Sequence, residues 1–391
     1  RTPFVALSAA MLFAACSPDV VVAPMKAPSG VNLAMSLAEG TGSYIVLLKG
    51  NNASGFAEKV AALGGSVNYL NPKAGFATVS GIPGASVAQL SALNIVADVQ
   101  ADQVVSLQSP VSGVIADAAF VGNPSIESQA HPETAILNAW QWDMASIHAP
   151  AAWAANKLGS STVKVAILDT GIDFNSLDAN GLVEDSTSTS FMNLYIHNST
   201  SHADSLLTLH QDTVRADNFV RAAYLPSRPI YDDFNGHGTN VASQVSSKAV
   251  AFAGVTSRTT LMAVKVLGSN GSGSLGTVLS GVLFAADHGA DVANMSLGGG
   301  FGKSGNGRFV GIINKVFNYA KQQGMLIVVS AGNSAIDLQH DRNLYVSYCD
   351  APHVLCVSAV GLRTFTDPLT QAFYINPLSE AFYSEAATPA F

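Results

Sequence analysis

The stretch VKVAILDTGID (residues 163–173) decides the fold of this chain. Five of the six residues from Val163 to Leu168 are apolar, which is typical of a strand covered on both faces of a sheet. Asp169 ends this run, and it needs a cationic partner or hydrogen-bond donors because an unpaired buried carboxylate is costly. Asp-Thr-Gly is also a common turn sequence. The stretch therefore predicts a core strand whose last residue is either a functional aspartate or a turn residue.

Further apolar runs of strand length follow, with two helical patterns between them. The helical patterns begin at Ser274 and Phe309, and the second one ends at Gly324. Alternating strands and helices predict an α/β fold with a mostly parallel sheet and helices on both faces, and functional groups collect at the carboxyl ends of such strands. The further runs are Leu261–Leu267, Ala290–Leu297, Met325–Ala331 and Val354–Val360.

A separate pattern precedes this sheet. Between Tyr44 and Leu107 the sequence predicts β-α-β-β-α-β, a small split βαβ (ferredoxin-like) domain at residues 43–108. A free-standing binding module would show the same pattern. Residues 109–138 are polar and contain proline, so we interpret them as a linker, where an exposed chain can be cleaved.

The first residues are typical of an export signal. Residues 1–16 combine a basic residue, an apolar run and small residues, and residues 17–42 read as a linker. LFAAC, which ends at Cys16, resembles a bacterial lipoprotein cleavage site with a lipidated cysteine; an ordinary secretory signal is the alternative. Either way we expect a secreted protein or one anchored to the cell envelope, with membrane attachment through Cys16 in the second case.

The composition argues against nucleic acid as a partner. Charged residues make up 12% of the chain and the formal net charge is −8, so a phosphate backbone would be repelled. No apolar run is long enough to span a membrane as a helix.

A histidine between two glycines stands in FNGHGTNVAS (residues 234–243). The glycines can leave room for another group to approach His237, whose pKa near neutrality suits proton transfer. An exposed histidine in a turn before a helix is the simpler interpretation. If Asp169 binds one ring nitrogen, the other is free to accept a proton from a nucleophile. Asn333 follows a strand and a glycine, so its amide could donate to a developing oxyanion.

Five stretches stand in an order that resembles one family. Across residues 136–360 the chain is similar to the precursor of a subtilisin-like serine protease. The resemblance assigns the catalytic aspartate, the catalytic histidine and the oxyanion asparagine to Asp169, His237 and Asn333. It also implies that residues 43–108 form an inhibitory propeptide and that residues 139–391 form the peptidase domain. The matching stretches are VAILDTGID, NGHGTNVAS, AVKVLGSNGSGS, ADVANMSLGG and VVSAGN.

The resemblance also implies a substrate cleft for protein or peptide chains. Two glycine-rich segments would flank an extended peptide and offer it backbone hydrogen bonds. Neither these segments nor the one around Asn333 carries a charged side chain, so we expect an uncharged, apolar residue before the scissile bond. The predicted cleft residues are Gly271, Ser272, Gly273, Ser296, Leu297, Gly298 and Gly299.

The family's nucleophile is missing from its motif. In the family it lies in a Gly-Thr-Ser motif, which occurs nowhere in these 391 residues. Ser379 and Ser384 lack the glycine-lined turn that exposes such a hydroxyl. We expect that the sequence stops before the nucleophile segment, and that the chain as given is inactive. The alternative is a non-catalytic pseudoprotease or a binding or inhibitor protein.

Cysteines and carboxylates complete the sequence-based predictions. Cys349 and Cys356 are seven residues apart with a turn sequence between them, so we expect a disulfide in an exported protein; two free thiols are the alternative. Residues 180–228 read as an inserted surface excursion. The family's catalysis implies no cofactor, although family members often hold structural calcium. Carboxylates that could hold it, without an assigned ligand set, are Asp178, Glu184, Asp185, Asp232 and Asp233.

Overall fold

The computed structural model of the chain describes eleven stretches. They are residues 42–107, 129–176, 178–179, 182–192, 194–198, 203–207, 229–332, 343–345, 347–359, 364–366 and 373–375.

The first described residues form a four-stranded antiparallel sheet, which we call the N-terminal sheet (residues 42–107). Its strand order is β2-β3-β1-β4, and the element order is the predicted β-α-β-β-α-β. Apolar strand residues on one face, among them Val46 and Val79, make a core with helix residues such as Phe56 and Leu90. The elements are β1 (Tyr44–Leu48), α1 (Phe56–Ala62), β2 (Ser66–Asn71), β3 (Phe76–Ser80), α2 (Val87–Ser91) and β4 (Val96–Ala101).

The rest of the described chain is built around a six-stranded parallel sheet, which we call the main sheet. Its strand order is β16-β14-β12-β6-β10-β7. In chain order the remaining elements are β5 (Val104–Ser106), α3 (Trp142–Ser146), α4 (Ala149–Ala154), β6 (Lys164–Asp169), β7 (Thr189–Ser190), β8 (Leu194–Asn198), β9 (Ala203–Leu207), α5 (His237–Val245), β10 (Thr260–Lys265), β11 (Ser272–Ser274), α6 (Leu275–Asp287), β12 (Val292–Met295), β13 (Phe301–Gly302), α7 (Gly307–Gln322), β14 (Leu326–Ser330), β15 (Leu344–Tyr345), β16 (Val354–Val357), β17 (Thr364–Thr366) and β18 (Phe373–Ile375).

Helices cover both faces of the main sheet, as the sequence predicts. On one face, α6 and α7 bury Leu168, Val264 and Met295 in the largest core. On the other face, α5 packs through Ala242 on Ile167 and its neighbours. The five predicted apolar runs become β6, β10, β12, β14 and β16, and the two-residue β7 is the sixth strand. The α/β fold class is therefore confirmed.

The helices begin and end where local chemistry allows. At the start of α6, the Ser274 hydroxyl accepts from the Thr277 N–H at 3.1 Å, and the Thr277 hydroxyl accepts from the Ser274 N–H at 3.0 Å. These bonds satisfy two donors that a helix start leaves open. The chain leaves α7 through Gly324, whose φ of 93° suits glycine. None of the helices in the described stretches is long and apolar enough to cross a membrane.

The N-terminal sheet and the main sheet share one hydrophobic core. Ile45, Tyr69 and Phe76 belong to the same buried cluster as the residues of α6 and α7. Polar contacts join the two parts as well, because the Asn71 side chain donates to Asp287 at 2.6 Å. Residues 42–107 are therefore packed onto α6 and α7.

Residues 129–138, which the sequence assigns to the linker, pack against the main part of the chain. Ile136 N–H donates to Val250 O at 3.0 Å, and Leu137 N–H donates to Ala251 O at 2.8 Å. Ala135 is 6% exposed, and it packs with Trp153 in a small hydrophobic cluster that is separate from the larger cores. Because backbone hydrogen bonds hold residues 129–138 in place, the apolar pattern of the sequence did not indicate this packing.

Candidate active site

The structure brings Asp169 and His237 together at the carboxyl end of the main sheet. Asp169 is the last residue of β6 and is 0% exposed, and His237 is the first residue of α5. His237 Nδ1 lies 2.8 Å from Oδ1 and 3.0 Å from Oδ2 of Asp169. With Nδ1 bonded to a carboxylate, Nε2 is the ring nitrogen that can accept a proton.

The surroundings of His237 favour its protonated form. The hydrogen bond that His237 donates to Asp169 raises the pKa of His237, burial opposes this increase, and the negative charges of Asp169 and Asp233 add to it. The side chain of His237 is 25% exposed. The ring is therefore more basic than a free imidazole and still reachable from solvent.

Asp233 anchors the segment that presents His237. Its carboxylate accepts from the N–H groups of Asn235 and Gly236 at 2.9 Å each, and from the N–H of Thr239 at 2.8 Å. It also accepts from the hydroxyl of Thr170, next to Asp169, at 2.9 Å. Burial raises the pKa of Asp233, but these hydrogen bonds outweigh it and the pKa is lowered. The acid and the base are thus held by one shared carboxylate.

Sequence reasoning missed this role of Asp233, which it treated only as a carboxylate that could hold calcium. A signal was present, because Asp233 lies four residues before His237 and six before Thr239. An aspartate just before a helix start is a frequent acceptor for the first backbone N–H groups.

The two glycines beside His237 serve backbone geometry. A Cβ at Gly238 would lie 2.1 Å from Gly171 O, so Gly238 is needed where α5 approaches the turn after β6. The expectation that Gly238 leaves room for an incoming group is therefore wrong. Gly236 has a φ of 97°, a conformation that L side chains rarely adopt, and open space beside its Cα.

One predicted cleft segment binds an extended strand of the chain itself. β11 pairs antiparallel with β5, with Ser272 opposite Ser106 and Gly273 opposite Val105. Leu107 N–H continues the ladder with a bond of 2.9 Å to Gly271 O. The backbone of Gly271–Gly273 thus pairs with an extended strand, and the assignment of this segment to substrate binding stays a prediction.

The second predicted segment follows β12 and lies against the side chain of Val105 in β5. A Cβ at Gly299 would lie 3.3 Å from a methyl group of Val105, so the glycine leaves room for the Val105 side chain. Ser296 accepts from the Asn294 side chain at 3.0 Å. Leu297 is 2% exposed and belongs to the core, and Gly298 connects it to Gly299.

The strand bound at β11 runs towards His237. The Asn235 side chain donates to Ser269 O at 2.8 Å, which ties the segment before His237 to the turn before β11. Because β5 is antiparallel to β11, the carboxyl end of β5 lies opposite the start of β11, next to this turn. An extended peptide in this cleft is therefore directed towards the Asp169–His237 pair.

Two predicted site residues, Asn333 and Cys16, lie outside the described residues. The described chain reaches Ala331 and Gly332 after β14, and Ala331 N–H donates to Val357 O at 2.9 Å. Of the predicted excursion at residues 180–228, the described part includes β8 and β9, which pair antiparallel.

Cys349 and Cys356 form a disulfide, with their Cα atoms 5.1 Å apart. Cys349 lies in a short 3₁₀ turn at Tyr348–Asp350, and Cys356 lies in β16. The bridge fixes this turn beside the end of β14, where the Cys349 sulfur lies 3.6 Å from Ser330 O.

The carboxylates considered for calcium do not converge in the described part of the chain. There, no group of three or more His, Cys, Asp or Glu residues could hold a metal ion. Asp178 instead accepts from the Ser247 hydroxyl at 3.0 Å and from the N–H groups of Val250 at 2.9 Å and Ala251 at 3.0 Å. These are hydrogen-bond donors, whereas calcium needs oxygen ligands. The surroundings of Asp178 therefore do not fit a calcium site.

Comparison with known proteins identifies the family. The profile of the subtilase family matches residues 160–371, which include Asp169, His237 and both cleft segments. The chain belongs to the subtilase family. Among curated subtilases, subtilisin Savinase of Lederbergia lenta is 31% identical over 49% of this chain and 55% of its own length. Thermitase of Thermoactinomyces vulgaris is 30% identical over 52% of this chain and 58% of its own length.

The alkaline elastase YaB of a Bacillus strain is 29% identical over 52% of this chain and 42% of its own length. This subtilase chain thus spans about half the length of the curated relatives it matches. Among solved structures, an epidermin leader peptide processing serine protease from Staphylococcus aureus superposes with a TM-score of 0.53 at 19% identity. That match covers 82% of this chain and 70% of the other, and it supports the subtilisin-like fold.

Proposed function

We propose that this subtilase is the precursor of a serine endopeptidase. His237 takes the proton from a serine hydroxyl that attacks a peptide carbonyl, Asp169 holds the imidazole, and Asn333 donates to the oxyanion. The observation that carries the proposal is the 2.8 Å contact of Asp169 with His237 Nδ1 beside a cleft that binds an extended strand. A peptide in this cleft has its scissile carbonyl beside the histidine that activates the serine, so the serine oxygen can attack the carbonyl carbon.

The serine of this proposal lies outside the present 391 residues, which contain no Gly-Thr-Ser motif. Without its nucleophile such a triad loses on the order of 10⁶ in turnover. The competing function is a non-catalytic pseudoprotease or a binding or inhibitor protein, and it is favoured by the same missing motif.

A fluorophosphonate probe, which labels an activated serine, separates the two functions. We compare the 391-residue chain with a chain extended to the end of its gene, and with the extended chain carrying His237→Ala. We expect labelling of the extended chain only. Labelling of the short chain would place the nucleophile within it, and an extended chain that stays unlabelled would support the non-catalytic function.

Residues 43–108 act in this proposal as an inhibitory propeptide. Support comes from β5, which occupies the cleft that a substrate would use, and from the packing of residues 42–107 onto α6 and α7. Since residues 129–138 already contact the main part, we place the processing bond between Leu107 and Gln129. N-terminal sequencing of the mature protein tests this placement, and a mature chain that starts after Gln129 would contradict it.

We further propose export, with lipidation of Cys16 as the anchor in the cell envelope. Mass spectrometry of the N-terminal peptide should find acyl chains on Cys16, and an unmodified signal cleavage elsewhere would remove the anchor. Substrates are protein chains with an apolar residue before the scissile bond, because Ser296–Gly299 and Ala331–Gly332 carry no charge. Faster cleavage after Lys than after Leu in a peptide panel would contradict this preference.

Catalysis in this proposal needs no cofactor. Structural calcium remains a proposal for the whole protein, at a place other than Asp178. A melting temperature that falls on chelation and recovers with Ca²⁺ would support it, and an unchanged melting temperature would remove it.

A further inference from the structure

A buried lysine joins the two segments that carry Asp169 and His237. Lys265 is the last residue of β10, lies opposite Asp169 of β6, and is 4% exposed. Its ammonium donates to the backbone oxygen of Thr170 and, at 2.9 Å, to that of Asp232. Thr170 directly follows Asp169, and Asp232 lies five residues before His237. One ammonium therefore spans the acid side and the base side of the pair.

The same ammonium lies among buried carboxylates. Asp169 and Asp232 are 0% exposed and Asp233 is 7% exposed, and the negative charges of all three act on Lys265. Burial lowers the pKa of Lys265 to about 8, while these charges oppose the decrease. The three carboxylates thus favour the ammonium form of Lys265, which the two backbone contacts also require. On its other side β7 contributes Ser190, which carries no charge.

Strand packing alone does not require a lysine at this position. The preceding residues of β10, among them Met262, Ala263 and Val264, are apolar and 0% exposed. A methionine has a similar shape and would avoid the cost of burying an ammonium. The two carbonyl contacts and the three carboxylates are what distinguish lysine from methionine here.

We propose that Lys265 is a positioning residue for the Asp169–His237 pair: it clamps the two segments together and offsets the negative charge that surrounds the imidazole. This inference deepens the proposed function, since it concerns the same site. Asp233 is its counterpart, because it ties the same segments by accepting hydrogen bonds and carries the opposite charge.

The two roles predict opposite effects on His237. Without the ammonium of Lys265, its positive charge no longer opposes that of the imidazolium, so the protonated form gains and the pKa of His237 rises. Without the charge of Asp233, the protonated form loses support and the pKa falls. A shift of one pKa unit corresponds to about tenfold in the protonation equilibrium, which is the size we expect for each change. If Lys265 only filled space in the core, removing its charge and removing that of Asp233 would not shift the pKa of His237 in opposite directions.

The test is an NMR titration of the 391-residue chain with labelled histidine rings. The His237 signal is identified by its loss in His237→Gln. We expect Lys265→Met to raise the pKa of His237, Asp233→Asn to lower it, and Lys265→Arg to keep it close to the original value. Lys315→Met, which removes a distant lysine on α7, is the matched control and should change nothing.

An unchanged or lower pKa in Lys265→Met overturns the inference. If that variant does not fold, Lys265→Gln replaces it, because glutamine keeps a donor for the carbonyls while removing the charge. The titration needs no catalysis, so its outcome is independent of the proposed function. If the extended chain is active, the acidic limb of its pH profile of kcat/KM should move to higher pH by about one unit in Lys265→Met, because the base His237 is then protonated up to a higher pH.

Discussion

At the residue scale, the closest backbone approach in the site is the one at Gly238. A methyl group there would meet Gly171 O at 2.1 Å, and both neighbours are backbone held by β6 and α5. We expect Gly238→Ala to lower the free energy of unfolding by about 3 kcal/mol or more, the upper part of the range for overpacking. Chemical denaturation of the 391-residue chain measures it.

Gly311 is the matched control for this change. It lies inside α7, where a Cβ would meet nothing within 4 Å outside its own helix. Gly311→Ala should therefore stabilise the chain by about 0.5–1 kcal/mol, because alanine loses less backbone entropy in a helix. Equal effects of the two changes would show that the approach at Gly238 is looser than described.

The sequence indicated that Asp169 and His237 interact, but it did not indicate the residues that support them. Asp169 and His237 stand out because a polar residue ends an apolar run and a histidine stands between glycines. Lys265 stands inside an apolar run, LMAVKVL, where a lysine can equally reach solvent at a strand end. Only the backbone oxygens of Thr170 and Asp232 give it a function, and main-chain oxygens leave no signal in a sequence.

At the element scale, β5 decides how the cleft is filled. Val105 is 4% exposed against Gly299, whereas its neighbour Val104 is 50% exposed on the other face of the strand. We expect Val105→Asp to release β5 from β11, because the change removes apolar burial and buries a charge. Amide exchange of Leu107, whose N–H donates to Gly271 O, should become at least about tenfold faster.

Val104→Asp tests whether the effect belongs to the cleft side of β5. The two valines are adjacent and differ in the face they present, so a general loss of strand propensity would affect both variants equally. We expect the exchange of Leu107 to stay unchanged in Val104→Asp. Similar acceleration in both variants would mean that the loss comes from strand propensity or the added charge, and not from the side chain that faces the cleft.

Prediction of elements followed the length of their apolar runs. The five long runs became five strands of the main sheet, since continuous apolar residues have one favourable place between two helical layers. The two-residue β7 was missed because Thr189 and Ser190 carry no periodic pattern. Residues 129–138 were missed for a similar reason, because bonds such as Ile136 N–H to Val250 O involve no particular side chain.

At the scale of the whole molecule, one core joins the N-terminal sheet to α6 and α7. Phe76 of β3 is 0% exposed in the cluster that also contains Phe317 of α7. Asp102, just after β4, accepts from Gly276 N–H at 2.8 Å at the start of α6, and Asn71 reaches Asp287 at its end. Both ends of α6 are thus held by residues of the N-terminal part.

A cut in the segment between these parts should therefore leave them associated. A recognition sequence for a site-specific protease, placed between Leu107 and Gln129, allows this cut in the purified chain. We expect the two pieces to migrate as one species in gel filtration at micromolar concentration, because the apolar contacts and the bonds to α6 persist without chain continuity.

The same cut in Phe76→Ala, which removes a buried ring at a cost of about 3–5 kcal/mol, should release the N-terminal piece. Phe56→Ala is the control, because it removes a ring of the same size from the separate core of the N-terminal sheet. If this variant also released the N-terminal piece, a weakened sheet would be enough for release and the shared core would not be required. Separation of the unsubstituted pieces would mean that covalent linkage, and not the shared core, holds β5 in the cleft.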